Sequence, residues 1–246
     1  APLLGDPIRA VRVEAARVLS AIPTDKLISG QRKKFDSALE EFRETQQAML
    51  DTPAASLNLA VLASNRGQAE QSEAYYRAAL KIDPYFVPAA LNLSTLYAEQ
   101  GRFGDAEEVL RATGEKVPQQ GELHYSLGLL LAETNRISEA AESLERATQL
   151  IPNRARVRYN HGLALQQLSR LGEAEKVLLD ADRLDRGDPD IVYAVTVFYI
   201  RQQQFKRALP YAERLVRLVP DAAGPAEMLR SIQSQTSADR RDRNTR

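Results

Sequence analysis

The segment from Leu91 to Leu110, LNLSTLYAEQGRFGDAEEVL, decides the fold of this chain. Two amphipathic patterns flank the short break EQGR. Their apolar positions are Leu91, Leu93, Leu96 and Tyr97 before the break and Phe103, Ala106, Val109 and Leu110 after it. Spacings of three and four residues place each set on one face of a helix. Gly101 suits the left-handed backbone position that follows a helix, so the stretch predicts a helix, a tight turn and a second helix.

The same arrangement recurs along the chain with a period of 34 residues. Three kinds of position share this spacing: a proline, a small residue, and a polar residue that precedes the first helix's packing side chain. They are Pro84, Pro118, Pro152 and Pro220; Ser72, Ala106, Ala140, Ala174 and Ala208; and Asn58, Asn92, Ser126 and Asn160. The proline ends the second helix of a unit, and the small residue lets two helices cross closely. Three sets with one period indicate an array of repeated helix pairs.

This order of residues resembles the tetratricopeptide repeat, a helix–turn–helix unit of the same length. The clearest copy is SLNLAVLASNRGQAEQSEAYYRAALKIDP, with Leu59, Gly67, Tyr76, Ala79 and Pro84 in place. The resemblance implies an all-α fold, a right-handed α-solenoid of about five repeats. We place these repeats at residues 53–86, 87–120, 121–154, 155–188 and 189–222.

Residues 1–52 are expected to form a helical lead-in to the array. The segment DPIRAVRVEAARVL resembles a helix of the HEAT repeat, in which Asp6 would cap the helix and Pro7 would occupy its first turn. A second helix would follow, with Phe35 and Phe42 on its apolar face. Because a lone HEAT-like helix has no neighbour to cover its face, the pattern predicts further helical repeats upstream of Ala1.

The C-terminal end is expected to differ from the repeats. The sequence of residues 223–235 predicts a single helix. This helix would cover the apolar face of the last repeat, since solenoids require such caps. The tail at residues 236–246 carries four arginines and no apolar periodicity, and it is expected to be disordered.

Composition excludes several function classes. The 33 basic and 33 acidic residues cancel, so no overall charge favours nucleic acid or an anionic membrane. Cysteine is absent, which excludes thiolate chemistry and metal sites built from cysteine. The absence of cysteine is compatible with both the cytoplasm and the periplasm, so the compartment stays open. No phosphate-binding loop, zinc-hydrolase or serine-hydrolase motif occurs, and His124 and His161 are expected to be packed and hydrogen-bonded core residues. The chain is therefore predicted to have no catalytic site, metal or cofactor.

The resemblance implies a concave groove lined by the first helix of each repeat. Its aromatic positions would be Tyr125, Tyr159 and Tyr193, its amide and hydroxyl positions Asn58, Asn92, Ser126 and Asn160, and its cations Arg156 and Arg201. Asparagine both donates and accepts hydrogen bonds, so such a row can hold a peptide backbone. The row is similar to the asparagine ladder of O-linked N-acetylglucosamine transferases, although Ala194 ends it. The alternative is that the tyrosines pack between neighbouring first helices.

These features predict a non-catalytic protein–protein interaction scaffold that binds a partner's peptide segment in the groove. The segment would be extended or helical and would offer apolar side chains, since the groove lacks the lysines that hold the carboxylate ends of heat-shock chaperones. Two alternatives stay open. The chain is an accessory module of a larger enzyme or bacterial multihaem cytochrome, or it self-assembles, with one copy's groove taking another copy's terminal helix.

Overall fold

The computed structural model describes residues 2–22 and 27–244, which form thirteen α-helices and one short 3-10 helix, Pro2–Gly5. The α-helices are α1 (Arg9–Leu19), α2 (Ser29–Gln47), α3 (Pro53–Asn65), α4 (Ala69–Ile82), α5 (Val87–Glu99), α6 (Phe103–Lys116), α7 (Gly121–Glu133), α8 (Ile137–Leu150), α9 (Ala155–Gln167), α10 (Leu171–Leu184), α11 (Pro189–Arg201), α12 (Phe205–Leu218) and α13 (Ala223–Asn244). They divide between two compact units, with the boundary between Leu123 and His124 inside α7.

Helix starts follow the period seen in the sequence. The first helices begin at residues 53, 87, 121, 155 and 189, and the second helices begin at residues 69, 103, 137, 171 and 205. The small residues at one position of the second helices are fully buried: Ser72, Ala106, Ala140, Ala174 and Ala208. In the first repeat the Ser72 hydroxyl on α4 donates to the carbonyl oxygen of Ala60 on α3 at 2.9 Å. The backbones of these two helices therefore approach closely.

One residue in each turn between paired helices has a positive φ angle. It is glycine in the first unit, where Gly67 has φ +70° and Gly101 has φ +72°, as predicted for Gly101. In the second unit the same position holds Asn135 at φ 60°, Ser169 at φ 58° and Gln203 at φ 56°. A side chain at Cβ makes this left-handed conformation unfavourable, so the second unit builds the same turn at a higher conformational cost.

The N-terminal helices of the first unit share a core with the repeats. That core comprises Leu4, Ala16, Phe35, Ala38, Leu39, Phe42 and Leu62. At its edge the Arg12 guanidinium on α1 donates from Nη2 to the Glu41 carboxylate oxygen Oε2 on α2 at 2.8 Å. The ion pair joins α1 to α2, and α2 in turn packs against α3.

The start of α1 differs from the sequence expectation. The helix begins at Arg9, so Asp6 and Pro7 lie before it rather than at its cap and first turn. Asp6 Oδ1 accepts a hydrogen bond from the backbone N–H of Ile8 at 2.8 Å. The carbonyl oxygens of Asp6 and Pro7 accept from Arg12 Nη1 at 2.8 and 3.1 Å. A side chain, rather than helical N–H groups, therefore satisfies these carbonyls and delays the helix.

The second unit has a core that runs from α9 to α13. Its buried members are Leu165, Ala174, Leu178, Ala194, Val195, Phe198, Tyr199, Ala208, Ala212 and Ile232. Each helix contributes the apolar face that its three- and four-residue spacing predicts. The core therefore joins the helices of the last two repeats to α13.

Helix α13 corrects the prediction for the C-terminal end. The helix continues to Asn244, nine residues beyond the predicted end at 235, so residues 236–244 are helical rather than disordered. Ile232 and Thr236 are both buried, and the Thr236 hydroxyl donates to the Ile232 carbonyl oxygen at 2.8 Å. No glycine or proline interrupts this segment, and each added residue of an existing helix gains a backbone hydrogen bond. Residues 245 and 246 lie outside the described residues.

Candidate functional site

Three tyrosines occupy the same position on the first helices of the second unit. Tyr125 lies on α7, Tyr159 on α9 and Tyr193 on α11, each 34 residues from the next. We call them the tyrosine row. Tyr125 and Tyr159 are half-buried, whereas Tyr193 is 50% exposed. Each ring therefore has a packed side and a solvent-facing side.

Tyr125 is held by two residues from beyond its own helix. The amide of Asn160 on α9 donates from Nδ2 to the Tyr125 hydroxyl at 2.9 Å. The guanidinium of Arg154 lies 5.1 Å from the centre of the Tyr125 ring, which is within cation–π range. These contacts fix the ring between α7 and α9.

Tyr159 lies beside a charged cluster that joins α9 to α11. Arg156 stands one turn earlier on α9, with its guanidinium 5.5 Å from the ring centre. The same guanidinium pairs through Nε with Asp188 and through Nη2 with Asp190, both at 2.9 Å. Burial raises the pKa of the Tyr159 hydroxyl, and the Asp190 carboxylate raises it further, so the hydroxyl stays protonated and available as a donor.

Asp188 has a second task. Its Oδ1 accepts the backbone N–H of Asp190 at 2.9 Å and that of Ile191 at 3.4 Å, which caps the N-terminus of α11. The cap holds the carboxylate in place for Arg156. Asp188 and Arg154 were not among the predicted site residues, although an aspartate before Pro189 is a sequence signature of a helix start.

The remaining predicted residues of the second unit are less constrained. Ser126 is half-buried on α7, and Arg201 is exposed at the end of α11. Ala194 stands where Asn160 stands one repeat earlier, and it is buried. Tyr159 consequently receives no amide hydrogen bond like the one that Asn160 gives to Tyr125.

Asn58 and Asn92 belong to the first unit, and both are engaged within the fold. Asn58 Nδ2 donates to Gln46 Oε1 on α2 at 2.9 Å. Burial raises the pKa of the Tyr76 hydroxyl on α4, and the nearby amide of Asn92 opposes that rise. Asn58 and Asn160 thus each hydrogen-bond a residue of a neighbouring helix, Asn92 lies beside one, and contact of the three with a partner stays a prediction.

His161 is buried on α9, as expected for a packed histidine. Its Nδ1 has no hydrogen-bond partner, which differs from the expected hydrogen-bonded core residue. Desolvation lowers the pKa of its imidazole; Arg170 lowers it too, while Glu145 and Glu173 act in the opposite direction. The ring is therefore a buried neutral group with an unsatisfied nitrogen.

Among the clefts on the first unit, two differ in their lining. One, of about 320 Å³, lies among α2, α3 and α4, where Arg43, Gln47, Gln71 and Tyr75 surround it. The other, of about 550 Å³, is apolar and lies along α1 beside Leu3 and Val18. One carboxylate lines each of these clefts, Glu40 in the first and Glu14 in the second.

Within residues 2–22 and 27–244, no group of three or more histidine, aspartate and glutamate side chains is placed to hold a metal ion. None of the helices described there is both long enough and apolar enough to cross a membrane.

Comparison with protein families identifies the repeats. Tetratricopeptide-repeat models match residues 66–130, 30–85 and 134–189, which is more than half of the chain. The chain belongs to the tetratricopeptide-repeat family. The predicted all-α solenoid of such repeats is thereby confirmed, and repeats of this family typically serve as non-catalytic protein-interaction modules. The match that begins at residue 30 takes in α2, which the sequence pattern had placed in the lead-in.

Several solved structures share this fold. YrrB, described as a tetratricopeptide-repeat protein with an unusual peptide-binding site, has 22% sequence identity and a TM-score of 0.61, over 75% of this chain and 95% of its own. MamA from Desulfovibrio magneticus RS-1 has 18% identity and a TM-score of 0.62, over 70% and 97%. PilF of Pseudomonas aeruginosa has 22% identity and a TM-score of 0.65, over 79% and 87%. No curated protein sequence matches the chain.

Proposed function

We propose that this protein is a non-catalytic scaffold that holds a peptide segment of a partner protein along the tyrosine row. The observation that carries the proposal is the placement of three partly exposed tyrosines at one repeat position on α7, α9 and α11. A tyrosine ring offers a large apolar surface and a hydroxyl at its tip, at a low cost in side-chain entropy.

Aliphatic residues extend the row along each helix. Leu129, Leu163 and Val197 lie four residues after the three tyrosines and are exposed or half-buried. Positions four apart lie on one helical face, so each tyrosine has an aliphatic neighbour on the same side. An extended or helical segment with apolar side chains at regular spacing matches such a surface.

The charged groups at the row argue for orientation rather than catalysis. Arg156 is committed to Asp188 and Asp190, and Arg154 lies against Tyr125. These contacts hold the rings in place before a partner arrives, and such preorganisation favours binding. YrrB supports the proposal in a general way, because it is a protein of this fold described as having a peptide-binding site.

The test is a selection of short random peptides displayed on phage against the full chain. We expect selected peptides to bind a Tyr125→Ala, Tyr159→Ala variant much more weakly, since a tyrosine hot spot is worth about 2 kcal/mol, or roughly thirtyfold in affinity. Tyr85→Ala is the matched control, because Tyr85 is 59% exposed on the first unit and lies outside the row. Circular dichroism checks that each variant is folded. Peptides that bind all three proteins equally would refute the proposal.

A further inference from the structure

The three rings of the tyrosine row differ in their charged neighbours. A guanidinium lies 5.1 Å from the Tyr125 ring centre, from Arg154, and another lies 5.5 Å from the Tyr159 ring centre, from Arg156. Among the side chains that the structure describes, no such cation lies over Tyr193. Yet Tyr193 has the most exposed ring of the three, at 50%.

The sequence explains this difference. Arg156 precedes Tyr159 by three residues, and the residue three before Tyr193 is Asp190. Arg154 follows Tyr125 by 29 residues, and the residue 29 after Tyr193 is Ala222. Relative to Tyr193, the two sequence positions that supply cations to the other rings are thus occupied by Asp190 and Ala222, and neither residue is a cation.

The carboxylate beside Tyr193 is accessible and only partly neutralised. Asp190 is 60% exposed at its side chain, and it stands one helical turn before Tyr193 on α11, on the same face. Its Oδ2 pairs with Arg156, but that guanidinium also serves Asp188, which is only 10% exposed. One positive charge is thus shared by two carboxylates, which leaves a net negative charge of one next to an exposed aromatic face.

We propose that Tyr193 and Asp190 together bind a lysine or arginine side chain of the segment held by the tyrosine row. The inference rests on the proposed function and names one feature of its partner. The incoming cation would lie on the Tyr193 ring, as Arg154 and Arg156 lie on the other two, and would pair with the free oxygen of Asp190. A cation over an exposed tyrosine and an exposed ion pair are each modest, so the site sets register and specificity rather than most of the affinity.

The test uses two displayed peptide libraries that differ only in whether lysine and arginine codons are present. We expect the library with basic residues to yield the tighter binders of the full chain. In a synthetic peptide from it, replacing the arginine by citrulline, a neutral isostere, should weaken binding about fivefold. On an Asp190→Asn, Tyr193→Leu variant the same replacement should change the affinity less than about twofold. Glu213→Gln is the matched control, since Glu213 is an exposed carboxylate on α12.

The outcomes separate this inference from the function on which it rests. Binders that depend on Tyr125 and Tyr159 but come equally from both libraries, or that lose as much affinity to citrulline on the variant as on the wild type, would overturn the basic-residue inference alone. Binders that ignore the tyrosine row altogether would overturn both proposals.

Discussion

The two units of this protein follow one repeat template and differ at particular positions of it. In the first unit the positive-φ turn residue is glycine, and the position taken by the tyrosine row holds Leu57 and Leu91. In the second unit the turn residues carry side chains and the row position holds tyrosine throughout. Leucine is thus compatible with the scaffold at that position, and the tyrosines add a hydroxyl group and a partly exposed ring there.

A ring-and-ion cluster between successive repeats is common to both units. The Tyr97 hydroxyl donates to Glu73 at 2.9 Å, and Arg102 lies 4.1 Å from the Tyr97 ring centre. Exactly three repeats later the Tyr199 hydroxyl donates to Glu175 at 3.1 Å, and an arginine again lies over the ring, at 4.3 Å. This contact therefore occurs once in each unit, while the turn residues and the row position differ between the units.

The largest expected effect concerns close helix packing. The first unit has Ala60 and Ser94 at the position where the second has Gly128 and Gly162. A Cβ atom on Gly162 would lie 2.6 Å from Leu178 Cγ, so Gly162→Ala should lower the free energy of unfolding by about 2 kcal/mol. Urea denaturation measures the change. Gly172→Ala in the first turn of α10 is the control: its Cβ meets open space, so the free energy of unfolding should stay unchanged or rise by less than about 0.5 kcal/mol. Equal effects of the two would contradict this packing argument.

The next effect concerns the buried histidine. Leu59 and Leu93 of the first unit occupy the place of His161. Because burial lowers the His161 pKa below its usual 6.5, the unfolded chain binds the proton more readily. The free energy of unfolding should therefore be highest above the pKa that the His161 imidazole has in the unfolded chain, and it should decrease as the pH drops below about 6.5. His161→Leu should raise the free energy of unfolding by about 1 kcal/mol at neutral pH, since Nδ1 is unsatisfied, and should flatten this pH dependence. An unchanged pH profile would show that other groups cause it.

A smaller effect is expected in the turns. Gln203 has φ 56° where the first unit uses glycine, and a side chain disfavours this conformation by about 1–2 kcal/mol. Glycine has more backbone freedom than glutamine in the unfolded chain and loses more entropy on folding, which offsets part of this gain. Gln203→Gly should therefore raise the free energy of unfolding by about 0.5–1 kcal/mol. Gln202→Gly, at φ −85° in the same turn, is the control and should be neutral or destabilising. Thermal denaturation of both variants decides the point.

The repeated helix pairs could be predicted from the sequence because they depend on local constraints that recur along the chain. A proline, a small residue and an apolar face recur at fixed spacing, and each has a direct steric meaning. The end of α13 was missed because the charged tail has no periodicity, and a helix that is already nucleated continues through residues with modest propensity. At the candidate site, the family resemblance indicated the three tyrosines, but the pairing of Arg156 with Asp188 and Asp190 depends on how α9 and α11 lie side by side. Such contacts between repeats leave no short-range signal in the chain.

The smallest expected effect on stability is the one that bears most directly on function. Replacing Tyr125 by leucine gives α7 the residue that α5 has at Leu91. The variant loses the hydrogen bond from Asn160, but that amide is half-exposed and can turn to water, so the free energy of unfolding should change by less than about 0.5 kcal/mol. The matched comparison is Tyr97→Leu, whose ring is 1% exposed and should be costly to replace, by about 2 kcal/mol or more. If Tyr125→Leu costs as much as Tyr97→Leu in urea denaturation, the tyrosine row is packing between first helices. If Tyr125→Leu leaves the free energy of unfolding almost unchanged, the tyrosine side chain is not needed for folding. A loss of peptide affinity in the same variant then indicates that Tyr125 contacts the partner.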